Sequence, residues 1–405
     1  MFKAFLSSLF LLLVFQLQAQ HLLQGKVYNA KTKEAVAGAT VYINNSSIGT
    51  STDKTGAFKL SISQASVYEL VVSAMGYHGS STQVKIPDAK SIEIALQERS
   101  TEIEEVVITG IVKDGWKKWG KYFTETIIGV GYNAEKTKIL NPEVIRFQYE
   151  EKARILRAYA LEPIKISNEA LGYEIEYDLQ EFRSAFADNY NYFAGYAYFK
   201  DKGKGRSKYK NARRDTYELS LAKFLQSAYL NTWEKEGYVV RKMVKKENET
   251  RKEAIAKLKE VTGIVVKSFQ GNWNAYYASQ KEILPTHVQA WRTQSRDAPE
   301  IAYLMGILTP AELFNKEPRK DKFKHLQFQD FLYIIYPAGL AKSKNKMLKA
   351  AASQVTELTL THPNGIMVDP SGAYFPAENL LLIGYGVNYS RLAFLLPLDY
   401  IPPMK

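Results

Sequence analysis

Short runs of alternating apolar and polar residues dominate the first hundred residues. They recur at intervals of roughly 8–12 residues with turn residues between them, a spacing typical of β-sandwiches. In "ATVYI", Tyr42 falls on the opposite face of a strand from its two aliphatic neighbours. Asp53 and Gly56 in "GTSTDKTGAF" mark a turn, because the Asp carboxylate accepts bonds from following amides and Gly readily adopts positive φ. The pattern predicts an all-β sandwich over residues 20–98, with Phe58 in its core.

From residue 116 onward the pattern mixes strands and helices. The stretches "VIRFQYEEKARILRAYA" and "GYEIEYDLQEF" alternate like antiparallel strands that bury one face. Helical spacing predicts one helix over residues 213–236, which Gly237 would end before the strand "YVVRKMVK", and another over residues 249–261, before Gly263. Strands return in "LQFQDFLYIIYP", "TELTLTH", "GAYFPAENLLLIGYG" and "RLAFLLPLDYIP". These elements predict an α+β domain with an antiparallel sheet over residues 116–405.

The first residues carry the pattern of a secretory signal peptide. Lys3 precedes an apolar stretch over residues 4–15, and the small Ala19 offers a cleavage position, so we expect residues 1–19 to be removed on export. The stretch is too short to span a bilayer, and no later apolar run approaches roughly 18 residues, so no transmembrane segment is expected after signal removal. Because the chain has no cysteine, it carries neither a cysteine-linked lipid anchor nor a disulfide.

Three strings in order carry a family resemblance: "GKVYNAKTKEAVAGATVYINNSSIGTSTDKTGAFKLSI", "YELVVSAMGY" and "STEIEEVVITG". Their order resembles the carboxypeptidase regulatory-like domain, a prealbumin-like sandwich found before the plug of many TonB-dependent receptors and in other exported proteins of gram-negative bacteria. The resemblance implies a periplasmic or outer-membrane-associated location and a linker over residues 99–115. About 295 residues follow residue 110, too few for the plug and pore of a receptor, so we expect a different kind of protein.

The second part carries a resemblance of its own. The strings "KILNPEVIRFQY", "ISNEALGYEIEYDLQEF", "GYAYF" and "RLAFLLPLDYIP" are similar to an uncharacterised family of exported proteins that join the regulatory-like domain to a family-specific region. That family has no assigned activity. The resemblance therefore implies architecture and location, but no reaction.

Basic charge concentrates in the second part of the chain. Residues 1–110 contain nine Lys or Arg and nine Asp or Glu, so the net charge of +12 lies entirely in residues 111–405. We predict that the densest run, residues 200–214, is an exposed loop that binds anionic surfaces through eight side chains: Lys200, Lys202, Lys204, Arg206, Lys208, Lys210, Arg213 and Arg214. Shorter basic runs lie at residues 241–246, 319–324 and 342–349. The expected partners are the outer-membrane surface, an acidic glycan or an envelope protein, and not nucleic acid.

The sequence lacks recognisable catalytic motifs. None of the five histidines belongs to an "HExxH" or "HxxE" pair, and no thiolate is available, so we expect neither a metal nor a cofactor. The "SxxK" matches at Ser207 and Ser343 lack the companion "SDN" and "KTG" strings. Carboxylates remain candidates for catalytic residues, because glycosidases use pairs of Asp or Glu that can be distant in sequence. The carboxylates concerned are Glu162, Glu169, Glu174, Glu176, Asp178, Asp369 and Asp399.

Two hypotheses of different class remain. The favoured one is a non-catalytic cell-envelope protein with a binding or assembly role, in which the sandwich docks on a partner or on its own second domain and the basic second domain binds a surface or glycan. The alternative is an unrecognised glycan-active or peptide-active hydrolase that uses carboxylates of the second domain. A deep pocket with converging carboxylates would favour the hydrolase, and a shallow basic surface would favour the binding protein.

Overall fold

The computed structural model describes residues 21–63, 67–86, 88, 91–99, 111–187, 190–204, 206–280, 282–314 and 323–402. The predicted signal peptide and most of the predicted linker lie outside the described residues. A β-rich part up to residue 96 is followed by an α+β part that begins at residue 115. This arrangement confirms the fold class predicted from the sequence.

Two small sheets build the N-terminal sandwich. One has the order β4-β1-β7 and contains β1 (His21–Asn29), β4 (Ala57–Ile62) and β7 (Ser91–Leu96). The other has the order β3-β2-β5-β6 and contains β2 (Thr40–Ile43), β3 (Gly49–Ser51), β5 (Val67–Ser73) and β6 (Ser80–Lys85). Alternate residues of β1 and β4 are buried, and Phe58 lies in the core as predicted.

The predicted turn between β3 and β4 is present. Asp53 Oδ1 accepts hydrogen bonds from the backbone N of Thr55 (2.8 Å) and Ala57 (3.0 Å) and from the Thr55 hydroxyl (2.7 Å). Gly56 has φ 74°, the left-handed conformation that the turn requires. These bonds lower the pKa of Asp53, the Thr55 hydroxyl contributing most. The side chain therefore serves the turn of the scaffold.

A mostly antiparallel sheet opens the second part. Its order is β8-β11-β12-β10-β9, and β13 pairs with the other edge of the long strand β12. The strands are β8 (Thr137–Ile139), β9 (Ile145–Glu150), β10 (Ile155–Ala160), β11 (Ile164–Asn168), β12 (Tyr173–Ala185) and β13 (Tyr190–Asp201). Helix α1 (Gly115–Ile128) packs on this sheet, with Phe123 fully buried against Phe147 and Phe182.

The helix predicted over residues 213–236 is two shorter helices that begin and end earlier. They are α3 (Ser207–Tyr217) and α4 (Leu221–Tyr229), which follow the one-turn helix α2 (Tyr132–Glu135). Ser220 divides them, because its side chain accepts a hydrogen bond from the backbone N of Lys223 and so starts a new helix. Gly237, with φ 89°, turns the chain into β14 (Val239–Glu247) and does not end a helix.

A second sheet has the order β15-β14-β17-β18-β21. Its other strands are β15 (Glu300–Ile307), β17 (Phe331–Ile335), β18 (Val355–Leu360) and β21 (Leu380–Gly384). The small sheet β16-β19-β20 contains β16 (Lys324–Leu326), β19 (Ile366–Val368) and β20 (Tyr374–Phe375), and α8 (Lys346–Ala351) precedes β18. The strands predicted around residues 326–337, 356–362 and 372–386 are therefore confirmed.

Three helices lie between β14 and β15. They are α5 (Glu249–Phe269), α6 (Trp273–Ser279) and α7 (Pro285–Gln294), and they share a small core separate from the main one. The prediction that a helix ends before Gly263 was wrong, because α5 continues through that residue. It ends where Gln270 (φ 49°) and Gly271 (φ 84°) both adopt the left-handed conformation.

The strand predicted in "RLAFLLPLDYIP" is absent, because residues 391–402 form an irregular segment. The backbone N–H groups of Leu392 and Ala393 donate to the carbonyls of Ile127 and Ile128 at the end of α1. Further along, Leu398 N donates to Asn45 O of the sandwich (2.7 Å). Leu392, Ala393 and Phe394 are buried where the segment meets the end of α1, whereas Leu398 and Ile401 are exposed, so the apolar pattern of this segment does not reflect a sheet.

Candidate functional site

The basic run over residues 200–214 is not the loop that its charge predicts. Its first residues end β13, and from Ser207 it forms α3. Four of the eight predicted binding residues are held by carboxylates. Lys200 pairs with Glu176, Lys202 with Glu174 (3.0 Å), Arg213 with Asp201 (2.7 Å) and Arg214 with Asp215 (3.1 Å).

Arg213 anchors α3 to the sheet. Its guanidinium makes two hydrogen bonds to the Asp201 carboxylate (2.7 and 2.9 Å), and its Nε donates to the Leu171 carbonyl (2.8 Å). The same group stacks 3.9 Å from the centre of the Tyr173 ring. The hydrogen bond from Arg213 holds the pKa of Asp201 below its usual value. Because it is only 9% exposed, Arg213 is committed to the fold.

The other four predicted residues form an exposed basic cluster: Lys204, Arg206, Lys208 and Lys210. Among the described residues, no carboxylate lies within 4.0 Å of their charged groups. The buried Tyr209 ring fixes this part of α3, because it packs so closely on Gly172 and Gly203 that a Cβ at either position would lie within 3.0 Å of it. The cluster is therefore displayed on an anchored helix and its preceding turn.

The structure also brings a second basic run beside α3. The Asn345 side chain donates to Asp215 Oδ2 (2.8 Å), which places residues 342–349 next to the end of this helix. Four side chains of that run are exposed: Lys342, Lys344, Lys346 and Lys349. Their proximity depends on a contact between residues 130 positions apart, so it could not be read from local sequence. In the run at 241–246, by contrast, Lys242 and Lys245 pair with Asp330 and Glu357.

The sandwich docks on the second part along β13. The loop at residues 44–47 pairs with the free edge of that strand, since Asn45 N donates to Ala197 O (2.8 Å) and Phe199 N donates to Ser46 O (3.0 Å). Tyr42 faces away from the sandwich core as predicted, yet it is only 3% exposed because the Tyr198 ring covers it at 5.1 Å. We call these contacts the seam.

Arg99 and Asp178 close the other end of the seam. Arg99 donates to the carbonyls of Tyr77, Ala160 and Leu161, and its Nη2 lies 3.8 Å from Asp178 Oδ1. Asp178 is 3% exposed, and its Oδ2 lacks a hydrogen-bond partner of good geometry among the described atoms. Burial raises the pKa of Asp178, while Arg99, His78 and Gln180 oppose that shift.

Two other carboxylates singled out in the sequence, Asp399 and Asp369, accept hydrogen bonds that stabilise the fold. Asp399 accepts hydrogen bonds from the backbone N (2.7 Å) and hydroxyl of Ser47, across the seam. Asp369 accepts from the backbone N of Ser371 and Ala373 within a turn. Within the described ranges, no three His, Asp or Glu side chains are grouped so that they could hold a metal ion.

A shallow depression of about 410 Å³ lies beside the start of α1. Lys113, Lys117 and Arg146 line it together with Asp114 and Glu143, and none of the carboxylates predicted for a hydrolase contributes to it. No helix of the described chain has both the length and the apolar character needed to cross a membrane.

Comparison with known proteins assigns the N-terminal domain. Residues 23–108 match the family model of the CarboxypepD_reg-like domain, which confirms the predicted regulatory-like sandwich. No curated protein matches the chain.

Three likenesses to solved structures are weak. A cohesin–X-dockerin complex from Acetivibrio cellulolyticus is 19% identical, with 19% of this chain and 58% of that chain covered and a TM-score of 0.18. A protein of unknown function from Bacteroides fragilis, described as membrane-associated, is 9% identical over 90% of this chain and 93% of that chain, with a TM-score of 0.16. A protein from Bacteroides uniformis described as carbohydrate-binding is 10% identical over 46% and 81%, with a TM-score of 0.16. Scores this low carry no argument about function.

Proposed function

We propose that this protein is a non-catalytic binding protein of the cell envelope that adheres to anionic lipid surfaces through the basic cluster on α3. The observation that carries the proposal is the set of four exposed cations without carboxylate partners, Lys204, Arg206, Lys208 and Lys210. The signal-peptide pattern of residues 1–19 and the regulatory-like domain support the envelope location.

Electrostatics set the expected strength of this adhesion. Each Lys or Arg close to an anionic leaflet contributes roughly 1 kcal/mol, and the attraction fades beyond a Debye length of about 8 Å at physiological salt. The exposed lysines of residues 342–349 would add to the same attraction, because they lie at the other end of α3. Binding should therefore be weak, reversible and steeply dependent on salt.

The test is co-sedimentation with anionic and neutral vesicles at low and high salt. We expect the protein to bind anionic vesicles at low salt, and the variant with Lys204, Arg206, Lys208 and Lys210 replaced by Ser to bind at least about tenfold more weakly. The matched control removes four exposed lysines of the sandwich instead, by substitution of Lys26, Lys31, Lys54 and Lys59 with Ser.

Because both variants lose the same net charge, a difference between them reports position and not total charge. Equal binding by the two variants, or no binding of the unmodified protein at low salt, would contradict the proposal. Binding to an acidic polysaccharide but not to vesicles would assign the cluster to a glycan instead.

A further inference from the structure

Strand β15 is an exposed edge of the second sheet with an apolar sequence. All eight residues of "EIAYLMGI" are exposed, although six of them are apolar. The large side chains include Ile301 (41% exposed), Tyr303 (47%), Leu304 (41%), Met305 (50%) and Ile307 (67%). One edge of β15 pairs with β14, and no described strand pairs with the other. Contiguous apolar surface of this kind usually marks an interaction site.

The strand lacks most of the features that keep sheet edges apart. Natural edge strands are commonly very short, or carry lysine or proline, which discourage pairing with another chain. β15 has eight residues and contains neither. Its register with β14 is irregular only between Arg241 and Met243, which leaves the stretch from Glu300 to Leu304 in regular pairing.

Charge is distributed unequally along this edge. At one end Glu300 lies directly opposite Glu247, a like-charge pair that destabilises a sheet. Lys252 pairs with Glu247 (2.8 Å), but no cation lies within 4.0 Å of the Glu300 carboxylate among the described residues. Arg241 lies at the opposite end, beside Ile307. Glu300 thus lies at one end of the edge strand, and the guanidinium of Arg241 on β14, whose Nε donates to the Met305 carbonyl (2.9 Å), lies beside the other end.

We propose that β15 pairs antiparallel with β15 of a second copy of this chain, about a two-fold axis. An antiparallel pair brings the Glu300 end of one copy beside the Arg241 end of the other, at both ends of the pair. It also covers the apolar residues of both strands and satisfies the outer backbone groups of each edge. A two-fold axis requires a surface that complements itself, and this charge distribution meets that requirement.

Sedimentation velocity over a range of protein concentrations tests the proposal on the complete chain. We expect a dimer that Tyr303→Lys and Leu304→Lys each weaken by at least about tenfold, because each puts a lysine from both copies into the paired apolar edge. Met75→Lys is the control, since Met75 is 82% exposed on the sandwich. Circular dichroism confirms that each variant is folded.

Charge exchange tests the register. Glu300→Arg and Arg241→Glu should each weaken the dimer, and the double variant should restore it. The absence of cysteine allows a second, independent measurement, in which single variants Tyr303→Cys and Leu304→Cys are oxidised. At least one of them should form a disulfide-linked dimer, while Met75→Cys should not.

A protein that stays monomeric at all concentrations would overturn the proposal, as would a dimer that neither lysine substitution weakens. A monomer whose β15 amides become protected from exchange only with neutral vesicles would assign the edge to lipid and would also overturn it. These measurements contain no anionic vesicle, so their failure is distinct from failure of the adhesion proposed for α3.

Discussion

At the residue scale, two aspartates of this protein have opposite relations to pH. Asp53 is exposed, and its hydrogen bonds lower its pKa, so it favours the folded state when ionised. Asp178 is buried, and burial raises its pKa. A carboxylate with a raised folded pKa binds its proton more tightly in the folded state, so its contribution to stability falls as pH rises from the unfolded value of about 3.9 through the folded pKa.

Asp178→Asn should therefore remove a pH-dependent loss of stability. We expect the variant to be at least as stable as the unmodified protein near neutral pH, because Asn carries no charge to desolvate and Arg99 keeps its carbonyl acceptors. Thermal melts from acidic to neutral pH measure this difference. Asp297→Asn, at an exposed position outside the seam, is the matched control for the loss of an aspartate. A deficit of Asp178→Asn that grows with pH would show that the ion pair with Arg99 outweighs the cost of burial.

At the element scale, local sequence predicted strands better than it predicted connections. The alternation of apolar and polar residues was sufficient to predict β9, β10, β12 and β14, because one face of each strand is buried. Helix α1 was missed, although the aromatic residues Trp116, Trp119 and Phe123 have helical spacing. Residues 391–402 were assigned wrongly, because Leu392 and Ala393 are buried by contact with the end of α1, which no local pattern reveals.

The candidate site was predicted only in part for a related reason. Its residues were proposed from charge density, but the repulsion that predicted a loop is relieved by carboxylates on β12, on β13 and in α3 itself. The register of β12 with β13 brings Glu176 to Lys200 and Glu174 to Lys202, and Arg213 of the following helix pairs with Asp201. Such partners are known only once the strand register is known. The seam was foreseen only as one of two alternatives for the sandwich.

The stability of helix α3 should depend on the planar guanidinium of Arg213, which donates several hydrogen bonds at once. Arg213→Lys keeps the charge but cannot make the paired hydrogen bonds to Asp201 and the bond to Leu171 together, so we expect a loss of about 1.5–3 kcal/mol. Chemical denaturation measures the loss, and hydrogen exchange should show it in the α3 amides. Arg214→Lys is the matched control, because Arg214 is exposed and its ion pair among the described residues is with its neighbour Asp215. Equal stability of the two variants would contradict the anchoring role.

At the scale of the whole molecule, the seam should make the sandwich and the second part unfold together. Tyr198→Ala removes the ring that covers Tyr42, and we expect it to cost roughly 1–3 kcal/mol and to separate one calorimetric transition into two. Tyr192→Ala on the same strand is the control, because that ring is 37% exposed. Two transitions in the unmodified protein would show that the domains are independent despite the seam.

We also expect the protein to be exported and its first residues to be removed. Residues 1–19 carry the charge and apolar pattern of a signal peptide, so the mature protein should begin near Gln20 or His21. Intact-mass measurement of the envelope fraction checks this start. Detection of Met1 on the protein in that fraction would contradict removal of the segment.

The segment at residues 391–402 also constrains the order in which the chain can fold. Asp399 binds Ser47 across 352 positions, and Leu398 binds the neighbouring Asn45. Contacts of such long range form late, because loop closure must precede them. If the chain emerges N-terminus first, as the predicted export requires, the sandwich can complete its core from residues 21–96 early, but the bonds of Asn45 and Ser47 to residues 398 and 399 cannot form until the last residues have emerged. Until then the loop at residues 44–47 is held to the second part through β13 alone, so the last residues of the chain complete a junction that its first hundred residues begin.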